Sequence, residues 1–436
     1  MDNATNGRGN SRAVIIGGVR TPFLRAFGDF MLMDTIALGA ANVQKLLEKF
    51  PIDKKEINGV VWGGVILPGQ SANIGREITL DSGLPREVEA TTVTRACTSG
   101  MKAIAMAVEA IERGDADVMI AGGSDSTSNA EVKMPQSFVH KTAPVTMSSK
   151  SGPMDYLKLA ARMKIRKDLM PQRPSVRERS TKELMGESAE KMAGRNGITR
   201  EAQDALALQS HQRAAESIRN GRLAQEVCSV VNTKGKVVSA DNLVRADTSL
   251  EKLAKLKPAF KKGGTLTAGN SSPLTDGSAA VLLMSREKAK ALGLAPLAEF
   301  RSWSFDAVDP WDQMLMGPAF SIPRALKKAG MTLKDIGVID IHEAFAAQVL
   351  SILKMLGNDK FAQERLGLSK AVGEILPEQI NIHGGSIALG HPFGATGARM
   401  VITMANELKL SGKESAVMAI CGAGGVSVGA IIVAAS

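Results

Sequence analysis

Val118-Met119-Ile120-Ala121-Gly122-Gly123 and Met418-Ala419-Ile420-Cys421-Gly422-Ala423 are two renderings of one pattern, an apolar β-prone run that stops abruptly at small residues. Upstream of each lies a second matching pair. Lys55-Glu56-Ile57-Asn58-Gly59-Val60-Val61 follows a helical pattern carrying Leu46-Leu47, and Lys334-Asp335-Ile336-Gly337-Val338-Ile339 follows one carrying Ala325-Leu326. Two matches in the same order predict two copies of one βαβ-rich unit. Working outward, the first 125 residues alternate β-branched runs (Ala13 to Val19, Ile57 to Ile66, Ala90 to Arg95, Asp117 to Ala121) with helical patterns around Ile36 to Phe50 and Thr98 to Arg113. This is the alternation of an α/β chain with a buried sheet. It breaks after Ser126 and resumes with Ala279 to Met284, Leu297 to Ser304 and Val338 to Ile341. A helix near Arg399 to Lys409 and a hairpin from Ala416 to Ala434 close the chain. The expected division is 1–125 with 263–296 as one half, 126–262 as an inserted loop domain carrying helices near Met185 to Arg195 and Arg200 to Arg219, and 297–436 as the other half.

The chain has 436 residues, 44% hydrophobic and 22% charged, which is globular composition and argues against disordered or fibrous classes. No uninterrupted apolar run approaches 18 residues, so no spanning helix is expected. The stretch Met1 to Arg12 lacks a targeting pattern. Three cysteines at 97, 228 and 421 form neither a disulfide framework nor a zinc-ligand spacing, so a reducing cytoplasm is expected and no metal. The formal charge of +10 is unevenly placed: from Lys141 to Ser180 ten Lys/Arg face three acidic residues. An anionic partner is expected, and nucleic acid, a phosphorylated cofactor and an acidic membrane surface all qualify; the segment itself is either a membrane-surface or partner-docking face or a solvated loop at a ligand entrance.

Chemistry gathers at strand ends. Cys97, in Thr94-Arg95-Ala96-Cys97-Thr98-Ser99-Gly100-Met101, is placed between a strand and a helix whose near face is Gly100, Ala103 and Ala107. A sulfur at a helix N-terminus is favoured as thiolate, so a nucleophile with lowered pKa is expected; the bland alternative is a small buried cysteine. His391, in Gly385-Ser386-Ile387-Ala388-Leu389-Gly390-His391-Pro392-Phe393-Gly394-Ala395-Thr396-Gly397, sits in a turn that can present an imidazole to a thiol or an oxyanion. Cys421 opens Cys421-Gly422-Ala423-Gly424-Gly425, whose successive N–H groups can face an anion. His342-Glu343-Ala344-Phe345 follows the Val338 to Ile341 run. Two cysteines and a loop histidine point to acyl transfer through a thioester. His383 reads as a backbone support, His140 and His211 as surface residues, and Cys228 as a strand residue.

These segments, with Ala268-Gly269-Asn270-Ser271-Ser272-Pro273-Leu274-Thr275-Asp276-Gly277, resemble the motifs of the thiolase family in family order, from about Ser11 to Ala434. The resemblance implies a layered αβαβα fold of two similar halves. It implies acylation of Cys97, activation of that sulfur by His391 and proton transfer by Cys421. It further implies one oxyanion site from His391 and His342 with a water, and another from the backbone N–H groups of Cys97 and Ala423. Arg245 aligns near the coenzyme A nucleotide and Ser272 near the pantetheine arm, while a family histidine of the pantetheine tunnel falls at Leu184. The family's usual Asn-Glu-Ala-Phe is here His342-Glu343-Ala344-Phe345. This departure resembles the β-subunit type of the fatty-acid-oxidation trifunctional complex, as does the basic stretch Leu159 to Pro171. The implied activity is cleavage of 3-ketoacyl-CoA by coenzyme A, which is a substrate, with no cofactor. Implied partners are a second copy in a homodimer and an α-subunit with hydratase and dehydrogenase activities; nucleic acid is not among them. The alternatives are a biosynthetic acetoacetyl-CoA thiolase, a ketoacyl-synthase-like condensing enzyme, which Cys421 argues against, and a non-catalytic acyl-CoA carrier.

Overall fold

The computed structural model describes residues 12–172, 174 and 177–435. Its architecture rests on strands β1 (Ala13–Arg20), β2 (Gly59–Gly63), β3 (Glu89–Val93), β4 (Val118–Ser126), β5 (Thr275–Ser285), β6 (Ala298–Ala307), β7 (Val338–Ile341), β8 (Ser415–Cys421) and β9 (Val426–Ala434). They lie in the order β7-β8-β9-β6-β1-β5-β4-β2-β3, with the short strand Leu24–Arg25 pairing β5. β2 runs parallel to β3 and β4, and β7 parallel to β8. Between the halves the pairing is a single residue pair, Ile15 opposite Ala298.

Two-residue alternation sorts the side chains of these strands into separate apolar layers. On β5, Ala280, Leu282 and Met284 join an outer layer with Val43 and Leu46 of α1 (Thr35–Lys49) and Ile74 and Ile78 of α2 (Ile74–Asp81). Ala279, Val281 and Leu283 face the opposite way, into a middle layer that also takes Ala416, Met418 and Ile420 of β8. Val417, Ala419 and Cys421 of β8 face a third layer. Each buried Leu or Ile side chain of this kind contributes about 1.5–3 kcal/mol.

Two helices fill the middle layer, α3 (Ser99–Arg113) and a long C-terminal helix, Phe393–Ser411, most of whose circumference is buried. They meet at backbone contact. A Cβ on Gly100 would lie 2.2 Å from the Gly394 carbonyl oxygen, and one on Gly397 2.5 Å from the Met101 amide nitrogen. Only glycine permits that approach.

Residues Ala130–Arg177 form a unit of their own, separate from the rest. It contains α4 (Gln136–Thr146) and α5 (Pro153–Arg162), neither of which buries a residue. Of the expected 126–262 insertion, 130–177 is a compact unit by itself. Residues 178–262 supply α6 (Met185–Asn196) and α7 (Arg200–Arg219), whose Ala189, Met192, Leu206 and Ala207 are buried in the third layer. That layer is completed by α8 (Pro318–Ala329) and α9 (Ala346–Leu356). The order of layers is therefore αβαβα. Two short-range readings change. His211 is buried on α7, its Nδ1 accepting the Arg245 N–H at 3.1 Å, rather than lying on the surface, because α7 buries polar as well as apolar residues. Cys228 lies just beyond a single bridge between Val227 and Arg20 and outside any named strand. Among the described residues no helix is long and apolar enough to cross a membrane.

Candidate active site

The Cys97 loop turns sharply out of β3. Ala96 holds φ +48, a left-handed conformation rare for a residue with a Cβ, and the next residue presents its sulfur in front of α3. No side-chain hydrogen bond caps that helix, and its first N–H, that of Ser99, donates to the Ala96 carbonyl at 3.0 Å. Arg95 fastens the loop to the other half, donating to the carbonyls of Ser427 at 2.9 Å and Asp306 at 2.8 Å.

Cys421 ends β8, and the turn after it passes through Gly424 and Gly425, both with positive φ. This turn touches the Cys97 loop: a Cβ on Gly422 would lie 3.4 Å from that of Ala96. The backbone N–H groups of Ala423 and of Cys97 itself favour charge on the Cys97 sulfur. The sulfurs are close enough that charge on Cys97 opposes charge on Cys421.

His391 arrives from the start of the C-terminal helix. Its loop precedes Gly394 by three residues, as Cys97 precedes Gly100, so the contact between those glycines sets the two side chains at one helix crossing. The His391 backbone N–H donates to Thr275 Oγ1 at 3.0 Å, and its Nδ1 lies 2.6 Å from Thr396 Oγ1. Asp125, at the end of β4, accepts the Gly394 N–H at 2.7 Å together with N–H groups of Val65 and Ile66. The His342 ring lies 4.1 Å from the His391 ring, centroid to centroid. Its Nδ1 is 2.8 Å from Ser386 Oγ, where Ser386 opens α10 (Ser386–Leu389). Among the described residues no hydrogen-bond partner reaches the buried Nε2 atom of either imidazole.

A buried polar cluster holds the His342 loop. Glu343 accepts from Ser210 Oγ at 2.7 Å, Asn381 Nδ2 at 2.6 Å and the Ile387 N–H at 3.2 Å. Asn381, at φ +53, also bonds both backbone groups of Ile341. Ser272 donates its N–H to the Ala344 carbonyl at 3.0 Å, which places it beside the same loop. Arg245 is exposed, two residues after Leu243, whose side chain packs against Gly390.

Electrostatics correct one expectation. Cys97 is only half-buried, yet enough protein surrounds its sulfur that desolvation outweighs the two N–H donors and pushes the thiol up to about 12. The helix N-terminus does not produce a resting thiolate. Burial, then the neighbouring Cys97, raises the Cys421 thiol well above its ordinary value. Burial and then the Arg399 guanidinium push His391 down to about 3; burial, His391 and Arg399 lower His342. Arg399 is itself buried, paired to Asp340 at 2.9 Å. Burial raises Asp125 to about 6 against its N–H donors. The resting site thus holds neutral thiols and neutral imidazoles, and a proton must move as the sulfur attacks.

Sequence reasoning singled out neither Asp125, Thr275, Ser386, Thr396, Asn381 nor the Arg399–Asp340 pair. Ser386 and Thr396 lay within the quoted glycine-rich run, where a hydroxyl near a histidine was the available signal.

Residues 13–287 match the family described as Thiolase, N-terminal domain, and 294–434 that described as Thiolase, C-terminal domain. The chain is 44% identical over 427 residues to 3-ketoacyl-CoA thiolases of Yersinia pestis (strain Pestoides F) and Serratia proteamaculans (strain 568), covering 98% of this chain and 97% of each relative. The Bacillus anthracis acetyl-CoA acetyltransferase superposes with a TM-score of 0.83 at 33% identity, covering 98% of this chain and 99% of that one. Human mitochondrial 3-ketoacyl-CoA thiolase in complex with CoA does so with a TM-score of 0.81 at 29% identity, over 97% and 98%. With matches that span both halves of the molecule, the chain belongs to the thiolase family.

Proposed function

We propose that this protein is a 3-ketoacyl-CoA thiolase, which uses coenzyme A to cleave a 3-ketoacyl-CoA into acetyl-CoA and an acyl-CoA two carbons shorter. The observation that carries this reading is the meeting of the two cysteine loops, Gly422 against Ala96, where the backbone N–H groups of Cys97 and Ala423 favour charge on the Cys97 sulfur. Cys97 attacks the 3-keto carbon while its proton passes to His391. The negative oxygen that forms at C3 is held by the two N–H groups. The C2–C3 bond then breaks, leaving the acyl group on Cys97 and an enolate of acetyl-CoA whose oxygen faces His391 and His342. Cys421 protonates C2. Its thiolate next takes the proton of incoming coenzyme A, which attacks the thioester and expels Cys97, and Cys97 recovers its proton from His391. Ping-pong kinetics follow.

Ser272 beside the His342 loop and the exposed Arg245 are assigned to the pantetheine arm and the nucleotide. Arg245→Ala should raise the KM for coenzyme A and leave the kcat of acylation unchanged. In a condensing synthase or a biosynthetic acetoacetyl-CoA enzyme the same sulfur would be acylated. The second cysteine favours reversible thiolysis over decarboxylative condensation, and the His342 departure favours the degradative subtype. The test is the loss of absorbance of the magnesium enolate of 3-ketoacyl-CoAs of several chain lengths on adding coenzyme A; absence of turnover at every length overturns the reading.

A cytoplasmic homodimer, joined by an α-subunit with hydratase and dehydrogenase activities, is the assembly we assign from the family likeness. The 130–177 unit exposes Met147, Met154, Leu157 and Ile165 among Lys158, Arg162, Lys164, Arg166 and Lys167, which supports a docking face for an anionic membrane surface. Liposome co-sedimentation should fall when those basic residues are reversed in charge, and binding that ignores the reversal removes the membrane.

A further inference from the structure

His342 and Ser386 are both fully buried, and Ser386 Oγ lies 2.8 Å from His342 Nδ1. The pair is gripped from both sides. On the serine side, Gly385 donates its N–H to Ser210 Oγ at 3.0 Å and Ile387 donates to Glu343 at 3.2 Å. On the histidine side, Asn381 pins Ile341, and Glu343 is the carboxylate that Ser210, Asn381 and Ile387 all reach. Gly385 admits that carboxylate because a Cβ there would lie 2.2 Å from its carbon.

Two proton placements are compatible with the Ser386–His342 contact. If Nδ1–H donates to the hydroxyl, the serine proton has no acceptor and Nε2 is left as a bare lone pair, two orphans in a buried site. If the hydroxyl donates to Nδ1, the serine proton and Nδ1 are both satisfied and Nε2–H alone is left over, with no partner among the described residues. The second placement leaves fewer buried polar groups unpaired. We propose that Ser386 is a positioning residue that donates to His342 Nδ1, fixes the Nε2–H tautomer, and so makes His342 a hydrogen-bond donor to the thioester oxygen of the substrate as the enolate forms. The inference rests on the thiolase reading of the site. His391 needs the opposite sense to accept a proton at Nε2. Its partner is Thr396, whose Oγ1 lies 2.6 Å from His391 Nδ1. The two histidines, 4.1 Å apart, thereby become one donor and one base.

Long-range 15N spectra of the histidine-labelled protein test this without turnover, since only five histidines contribute. His342 is assigned by its loss in His342→Asn. The expected signature is a protonated Nε2 and an unprotonated, hydrogen-bonded Nδ1, with Nδ1 shifted in Ser386→Ala. A protonated Nδ1 in the unmodified protein overturns the proposal even if the enzyme is an active thiolase. Kinetically, Ser386→Ala should lower kcat about tenfold with an unchanged KM for coenzyme A. In the His342→Asn background it should change kcat less than about twofold. An equal loss in both backgrounds would show that Ser386 does not act through His342. If no thiolysis is detected in any form, the spectra still decide the tautomer.

Discussion

The two cysteine turns are built from similar parts and arrive at different chemistry. Each follows a strand end and precedes backbone N–H groups, and the turns touch through Ala96 and Gly422. Cys97 stands on a left-handed elbow, half-buried, with the backbone N–H groups of Ala423 and Cys97 favouring charge on its sulfur against burial. Cys421 ends a strand buried on both faces and has the other sulfur as an electrostatic neighbour. The half-buried elbow suits the sulfur that must reach a carbonyl carbon, and the recessed strand end suits one that only exchanges a proton with what is already bound.

Removing the nucleophile should cost most. Cys97→Ser is expected to lower thiolysis by on the order of 10⁴ in a steady-state coenzyme A assay, because serine is the weaker nucleophile in a site without a strong base. Loss of similar size from Cys421→Ala alone, with Cys97→Ser near normal, would invert the assignment of the two turns. Cys421→Ala should itself cost about 10²–10⁴, the usual contribution of a positioned acid or base, while transfer of an acyl group from acyl-CoA to the enzyme survives.

A smaller effect is expected from spreading the turns apart. Gly100→Ala puts a methyl group into the Gly394 carbonyl, and a displacement near 1 Å between the Cys97 and His391 loops should lower kcat about 100-fold. An unchanged kcat would mean that the helix crossing does not set the relation between these residues. The mildest test uses pH. With the Cys97 thiol at about 12 and a neutral His391, the thiolate fraction is small at neutral pH and grows as protons are removed. Iodoacetamide labelling of Cys97 should therefore rise about tenfold per pH unit from about pH 7 to 10 without a plateau, with Cys421 labelled far more slowly. A plateau beginning near neutrality would reveal a preformed thiolate–imidazolium pair.

The contrast also separates what the sequence makes legible from what it hides. Cys97, His391, Cys421 and His342 stand out because each follows a run that reads as a strand or sits in a glycine-rich turn, and the paired matches at 118–123 and 418–423 expose the two halves. The sign of the Cys97 shift is hidden, since a helix N-terminus is a local feature whereas the desolvation that outweighs it comes from chain segments hundreds of residues away. His211 misleads for a related reason: α7 is polar along its length but buries Gln203, Asp204 and Ser210 as well. Ser386 is visible as a letter, yet its pairing with His342 exists only once α10 is seated on Glu343.

The division of labour between the sulfurs is tested most directly by locating the acyl group. After a brief reaction with a 3-ketoacyl-CoA and no free coenzyme A, mass spectrometry of peptides from the unmodified protein and from Cys97→Ser and Cys421→Ala should place the acyl mass on Cys97 alone and find none in Cys97→Ser. A full acyl burst in Cys97→Ser, or the label on Cys421, would contradict the account.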